Sequence, residues 1–318
     1  MSGRDTKPEP NDQVFDAVKG NWVDTMAPTW AKGYLRLSRI DRPIGTWLLL
    51  IPCWWGLCLA ILESGEPRPS DLWVFIACAI GAFLMRGAGC TWNDITDRNL
   101  DGQVARTKSR PIPSGQVNVK QALIWMFVQI TLAACILFSF NTAAILLGIA
   151  ALIPVTIYPF AKRFTWWPQV FLGIAFNWGA LLGYVAHGDG LGWPAILLYL
   201  SGIAWTLFYD TIYAHQDKDD DALIGIKSTA RLFGYNSLIW LRCFTAISGI
   251  LMMSAILIAL EDGQRMLCLF GVFAFIAHLI WQMHRLDVDD GKVLIRLFRS
   301  NRDAGLLPIA VFLVAMMT

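Results

Sequence analysis

An all-α integral membrane fold, a bundle of about nine transmembrane helices, is predicted by three properties of this chain. Its composition is 56% hydrophobic and 16% charged, with a mean hydropathy of +0.49. Apolar runs of membrane-spanning length recur along it, and Lys and Arg gather almost wholly in alternate connections between those runs. Soluble domains carry about 25% charged residues, so a soluble globular class is excluded at once. Nothing in the balance of charge points to nucleic acid, and no obligate protein partner is implied.

A hydrocarbon core about 30 Å thick needs roughly 20 apolar residues per helix. That window places spans near 44–62, 72–92, 119–139, 142–160, 168–187, 192–213, 236–260, 266–283 and 304–317, the last being short. With the N-terminus on one side, the opposite side holds only Arg68 and Arg265, and the spans hold Arg86 and Arg242. All other Lys and Arg residues share the N-terminal side, which the positive-inside rule makes cytoplasmic.

Residues 1–30 are polar and mixed in charge, as expected of a flexible cytoplasmic tail, and 31–318 are expected to form a single transmembrane domain. The tail has no signal-peptide core. Asp5, Glu9, Asp12, Asp16 and Asp24 set it apart from an acid-poor transit peptide, so a bacterial-type inner (plasma) membrane is expected. From Trp30 to Arg42 basic and aromatic residues alternate with Leu35, Leu37 and Ile40, the pattern of a short helix in the headgroup region. Trp73, Trp166, Trp167 and Trp193 fall at span ends, where an aromatic belt belongs. The seven cysteines stand singly in apolar runs and read as buried packing. Of the four histidines only His215 stands in a segment with chemistry.

Two aspartate-rich segments follow the second and sixth spans, NDITDRNLD at 93–101 and DTIYAHQDKDDD at 210–221. Both fall on the cytoplasmic side, four spans apart, which suggests a duplicated unit. If the second span continues as helix, Asn93, Asp97 and Asp101 recur at i, i+4 and i+8, with Asp94 beside them. Asp217 and Asp221 repeat the spacing, with Asp210 before them and Asp219 and Asp220 between. Clustered carboxylates repel one another, so a cation is implied, and oxygen-only ligands select a hard one such as Mg2+. Arg106, Lys108 and Arg110 follow the first segment, and Lys162 with Arg163 follow the fourth span. Together with Mg2+ these cations would clamp a diphosphate. Arg86 lies inside a span, where a charge costs at least ~2.5 kcal/mol, so it should face the interior with an anionic partner: a substrate carboxylate, or an aspartate of the chain itself.

These segments resemble the signature regions of the UbiA-type intramembrane prenyltransferases: NDITDRNLD, the following RTKSRPIPSG, YPFAKR at Tyr158–Arg163, and YDTIYAHQDKDDDALIGIKSTARLFG from Tyr209. The second motif, with Tyr209, Tyr213 and the GIKS run at Gly225–Ser228, is most similar to the 4-hydroxybenzoate polyprenyltransferases of ubiquinone biosynthesis. The resemblance covers about 34–316. It implies helices around a central cavity open to lipid, capped on the cytoplasmic side by the Asp-rich segments. It also implies that Asn93, Asp94, Asp97 and Asp101 form one metal motif and Asp217 and Asp221 the other. Arg86 would hold an aromatic acid's carboxylate and Lys162 would lie near the diphosphate, with Tyr158, Asp210 and Tyr213 as further substrate-binding candidates. The reaction so implied is ionisation of a polyprenyl diphosphate, capture of the allyl cation by the carbon ortho to the hydroxyl of 4-hydroxybenzoate, and loss of the ring proton. The base is a motif aspartate, Asp217 or Asp94, or the released diphosphate. A sibling enzyme acting on a naphthoate, heme or chlorin is the alternative. A divalent-cation transporter, from another class, would need acidic residues near mid-span, and the spans hold almost none.

Overall fold

The computed structural model describes residues 20–102, 107–188, 190–223 and 225–317, the side chain of Asp220 excepted. Among these residues there is no strand. The helices are α1 (Trp22–Thr25), α2 (Thr29–Leu37), α3 (Ile44–Ser64), α4 (Pro69–Asp101), α5 (Val119–Leu137), α6 (Thr142–Ala150) and α7 (Leu152–Phe164). They continue with α8 (Pro168–His187), α9 (Trp193–Ala214), α10 (Lys218–Leu223), α11 (Thr229–Phe233), α12 (Ser237–Ala259), α13 (Asp262–Arg285) and α14 (Gly291–Ala315). Eight helical segments among the described residues are long and apolar enough to cross a membrane, counting α6 with α7 and α11 with α12 as single spans. Large apolar side chains lie exposed along them, among them Phe127 and Leu132 on α5, Ile250 and Ile258 on α12 and Phe270 and Phe273 on α13. A lipid solvent makes such exposure favourable. This is a multi-pass, all-α membrane protein.

Two boundaries differ from the sequence reading. The predicted span 142–160 is broken at Ala151, because Pro154 has no N–H to return to the carbonyl of Ala150. The predicted short span 304–317 is the second half of α14, a helix of 25 residues whose start is masked in a hydropathy window by Arg296, Arg299, Arg302 and Asp303. Asp290 caps it, accepting from the N–H groups of Lys292 and Val293 at 2.8 and 3.3 Å.

The chain divides into two compact units. The first falls within residues 1–43 and 87–128, the second within 44–86 and 129–318. In the first, Leu37, Ile95, Val117 and Ala122 form a small core. Residues 21–30, read from sequence as tail, are built into this unit: Asn21 caps α1, and Asp24 pairs with Arg36 at 2.9 Å. Of the basic residues on α2, Lys32 donates to the carbonyl of Asp24 at 2.8 Å. Arg36 is 3% exposed and also donates to Gln116 Oε1 at 3.1 Å. A guanidinium turned inward is stable only with such partners, and hydropathy does not reveal them.

In the second unit α3 lies against α8 at backbone distance. A Cβ on Gly56 would meet the carbonyl of Ala180, and one on Gly183 that of Cys53. Small residues are what permit this approach. Helix α9 packs between α8 and α12, and α14 against α13 and α3. Trp55, Trp205, Phe275 and Phe312 fill the core, and its polar atoms satisfy one another: Trp55 Nε1 donates to the carbonyl of Gly305 (2.8 Å) and Trp205 Nε1 to Asn301 Oδ1 (2.9 Å). One end of the unit is tied by a polar strap. His187 contacts Asp71 Oδ1 through Nδ1 (2.8 Å) and Ser64 Oγ through Nε2 (2.9 Å), while Arg68 donates to the carbonyl of His187. Of the cysteines, five are buried as expected, and Cys135 and Cys243 are exposed.

Candidate active site

Helix α4 has 33 residues and runs about 50 Å at 1.5 Å per residue, well beyond a 30 Å hydrocarbon core. It therefore carries the whole first acidic segment as helix, and Asn93, Asp97 and Asp101 share one face with Asp94 at its edge. Asp94 and Asp97 have no exposed surface and Asp101 is 6% exposed. Carboxylates so deep need positive charge, and the first unit supplies it from two loops. Arg39 Nη2 meets Asp94 Oδ1 at 2.5 Å. Arg110 Nη1 meets Asp101 Oδ2 at 2.8 Å and Asp94 Oδ1 at 3.4 Å. Asp94 Oδ2 remains buried with no hydrogen-bond partner. Lys108 is exposed, and Arg106 lies outside the described residues.

That orphaned oxygen, in a group whose donors are oxygens only, fits a hard divalent ion such as Mg2+. Among the described residues, no three His, Cys, Asp or Glu side chains already converge at metal-holding distance. Arg39 and Arg110 stand where part of the ion's charge would act.

The second acidic segment belongs to the second unit. Asp210 and Tyr213, both half-buried, lie on the last turns of α9; a 3-10 turn then carries Asp217, and α10 carries Asp221. Gln169, at the start of α8, adjoins two parts of this region: its side chain interacts with Asp210, and its Oε1 accepts from the N–H of Thr229 at 3.3 Å. The loop before α11 folds over the end of α7. Lys227 N donates to the carbonyl of Lys162 at 3.2 Å, and Ile226 N to that of Asp221 at 2.9 Å. Lys227 and Arg231 both stand over the Trp166 ring, 5.9 and 5.4 Å from its centre. The second unit thus gathers Lys162, Lys227, Arg231 and Asp221 at one place. Arg163 is exposed over the Phe160 ring, and Tyr158 is half-buried on α7. His215, within the second acidic segment, has both ring nitrogens engaged: Nδ1 meets the carbonyl of Thr211 (2.8 Å) and Nε2 meets Ser237 Oγ (3.1 Å).

Arg86 sits on α4 where it passes through the second unit. Its Cζ lies 5.4 Å from the centre of the Phe176 ring, and its buried Nε has no hydrogen-bond partner. Asp210 feels its charge, yet the two form no ion pair among the described residues. The interior charge anticipated from sequence is present without a tight internal partner.

The structure adds residues to the sequence-derived set: Arg39 beside Asp94, Gln169 behind Asp210, and Phe176 beneath Arg86. Arg39 reads in the sequence as one more positive-inside charge. Gln169 and Phe176 stand in an apolar run with no motif around them, so only folding marks them.

Residues 49–302 match the UbiA prenyltransferase family. Over 288 residues the chain is 46% identical to 4-hydroxybenzoate polyprenyltransferase, mitochondrial, of Rattus norvegicus, covering 90% of this chain and 75% of that protein. Over 304 residues it is 43% identical to the Homo sapiens protein of that name, covering 94% and 79%. The chain spans just under two thirds (65%) of the Aedes aegypti relative, at 44% identity. The apo structure of a UbiA homolog from Aeropyrum pernix K1 superposes with a TM-score of 0.71 at 23% identity, covering 85% of this chain and 98% of that one. A UbiA homolog from Archaeoglobus fulgidus bound to DMAPP and Mg2+ superposes with a TM-score of 0.65 at 19% identity, covering 90% and 99%. With its carboxylate-bearing helix α4, its all-α membrane fold and a match over most of its length, this chain belongs to the UbiA prenyltransferase family.

Proposed function

We propose that this chain is a Mg2+-dependent 4-hydroxybenzoate polyprenyltransferase of ubiquinone biosynthesis. It would transfer a polyprenyl group from its diphosphate to the ring carbon ortho to the hydroxyl and release diphosphate. The observation that carries the reading is α4 itself: one unbroken helix bears a loosely partnered arginine within its apolar part and, from seven residues on, the half-buried Asn93 with the buried Asp94, Asp97 and Asp101 and their orphaned oxygen. The relatives' names supply the acceptor, and their identities of 43–46% support extending it to this chain.

In this reading Asn93, Asp94, Asp97, Asp101, Asp217 and Asp221 are the residues that hold the metal. Mg2+, when bound, supplies positive charge to the departing diphosphate. Lys108, Lys162 and Lys227 add cationic hydrogen bonds to the phosphate oxygens, and Arg106, Arg110 and Arg163 complete the basic set. Tyr158, Asp210 and Tyr213 shape the substrate site. Arg86 binds and orients the acceptor's carboxylate so that the ortho carbon faces the cleaving C–O bond. As that bond breaks, a C–C bond forms to the ring, and the ring proton passes to a carboxylate, Asp217 or Asp94, or to diphosphate. The apolar surroundings exclude water from the allyl cation.

Supply of 4-hydroxybenzoate and polyprenyl diphosphates of several lengths to membranes containing the protein, with Mg2+, should yield 3-polyprenyl-4-hydroxybenzoate by mass spectrometry. A product only with a naphthoate or a porphyrin acceptor would overturn the acceptor, and no prenylated product at all would overturn the activity. The bias of Lys and Arg supports placing the N-terminus and both acidic segments on the cytoplasmic face of a bacterial-type plasma membrane, with the curated relatives being mitochondrial proteins. Reporter fusions at residues 190–192 and 225–228 should report opposite sides.

A further inference from the structure

Gly45, on the first turn of α3, lies directly against the head of Arg86. A Cβ at this position would stand 2.5 Å from Nη2 and 2.6 Å from Cζ, well inside van der Waals contact. The Phe176 ring of α8 faces the same guanidinium at 5.4 Å. Helices α3 and α8 therefore form two walls of a slot, and only a hydrogen on the α3 wall leaves room for the guanidinium plane.

We propose that Gly45 is a positioning residue for acceptor recognition: with Phe176 it fixes the Arg86 guanidinium in the orientation that receives the carboxylate of the aromatic acid. The inference rests on the reading of Arg86 as the carboxylate-binding residue. The atoms a methyl group would displace are the far end of a flexible side chain rather than backbone, so Gly45→Ala keeps its fold while the guanidinium turns away.

The test is steady-state kinetics of the full-length protein in membranes, with 4-hydroxybenzoate and its methyl ester as acceptors. Gly45→Ala should raise the KM for 4-hydroxybenzoate roughly tenfold, the scale of one weakened charge-assisted hydrogen bond, and leave donor KM within about twofold. The methyl ester, which carries no anionic group, should lose nothing further. In an Arg86→Ala background the Gly45→Ala effect should vanish, since the group it displaces is gone. Phe176→Leu adds no atoms and should raise acceptor KM in the same direction, which keeps the slot testable should Gly45→Ala fold poorly. An unchanged acceptor KM in both slot variants, or an equal rise with and without Arg86, overturns the slot. If instead Arg86→Ala leaves acceptor KM unchanged, the carboxylate reading itself has failed, and the two failures are distinct.

Discussion

At the scale of single residues, Arg39 shows how the charge of the first acidic segment is balanced. It has a φ of 56°, the one non-glycine residue in the left-handed region among those described, and the turn it makes directs its guanidinium to Asp94. Left-handed backbone costs about 1–2 kcal/mol for a residue with a Cβ, and removing one partner of a buried ion pair costs about 3–5 kcal/mol. Arg39→Ala and Arg39→Gly should both lower the melting temperature in detergent, and the glycine variant should be the more stable by about 1 kcal/mol because it keeps the turn without strain. Equal losses would show that the turn is not strained. Asp97→Asn and Asp217→Asn keep size while removing charge. Each should abolish Mg2+-dependent prenyl transfer and leave the protein folded by size-exclusion chromatography; full activity in either would sink the metal assignment. These carboxylates were visible in sequence because their clustering is local. Arg39 was not, because its partner stands 55 residues away and nothing in LSRIDRP distinguishes a buried arginine from a topological one.

At the scale of helices, the apolar runs were legible to within a few residues wherever hydropathy was uninterrupted, as in the predicted 168–187 and 236–260 against α8 and α12. They were less exact where a second physical term intervened: charged residues hide the first half of α14, and a missing proline N–H interrupts the helix within 142–160 without ending the span. The contact of α3 with α8 gives a clear prediction. A methyl group at Gly56 would press on the backbone of Ala180, 2.8 Å from its carbonyl carbon, and backbone cannot rotate away as a side chain can. Gly56→Ala should destabilise by about 1–3 kcal/mol, seen as a lower melting temperature. It should cost more than Gly45→Ala, whose neighbour is a movable guanidinium; the reverse order would contradict the packing.

For the molecule as a whole, the first acidic group is already paired within its own unit, Asp94 with Arg39 and Arg110 and Asp101 with Arg110. Folding should therefore depend little on an ion to screen Asp94 and Asp101. Treatment with EDTA should remove prenyl transfer, restored by Mg2+, while shifting the melting temperature by only about 1–2 °C at the scale of a kcal/mol or less. A collapse of the fold on chelation would show that the ion is structural. The sequence by itself determined that this is a multi-helix membrane protein with two carboxylate motifs, because hydropathy and clustered charge are properties of neighbouring residues. Which arginines meet which aspartates, the inward turn of α2, the placing of Gln169 beside Asp210 and Thr229 and the slot that receives Arg86 were decided only by tertiary structure. Each joins residues distant in the chain, and such pairing is set by packing and burial, which no local pattern records.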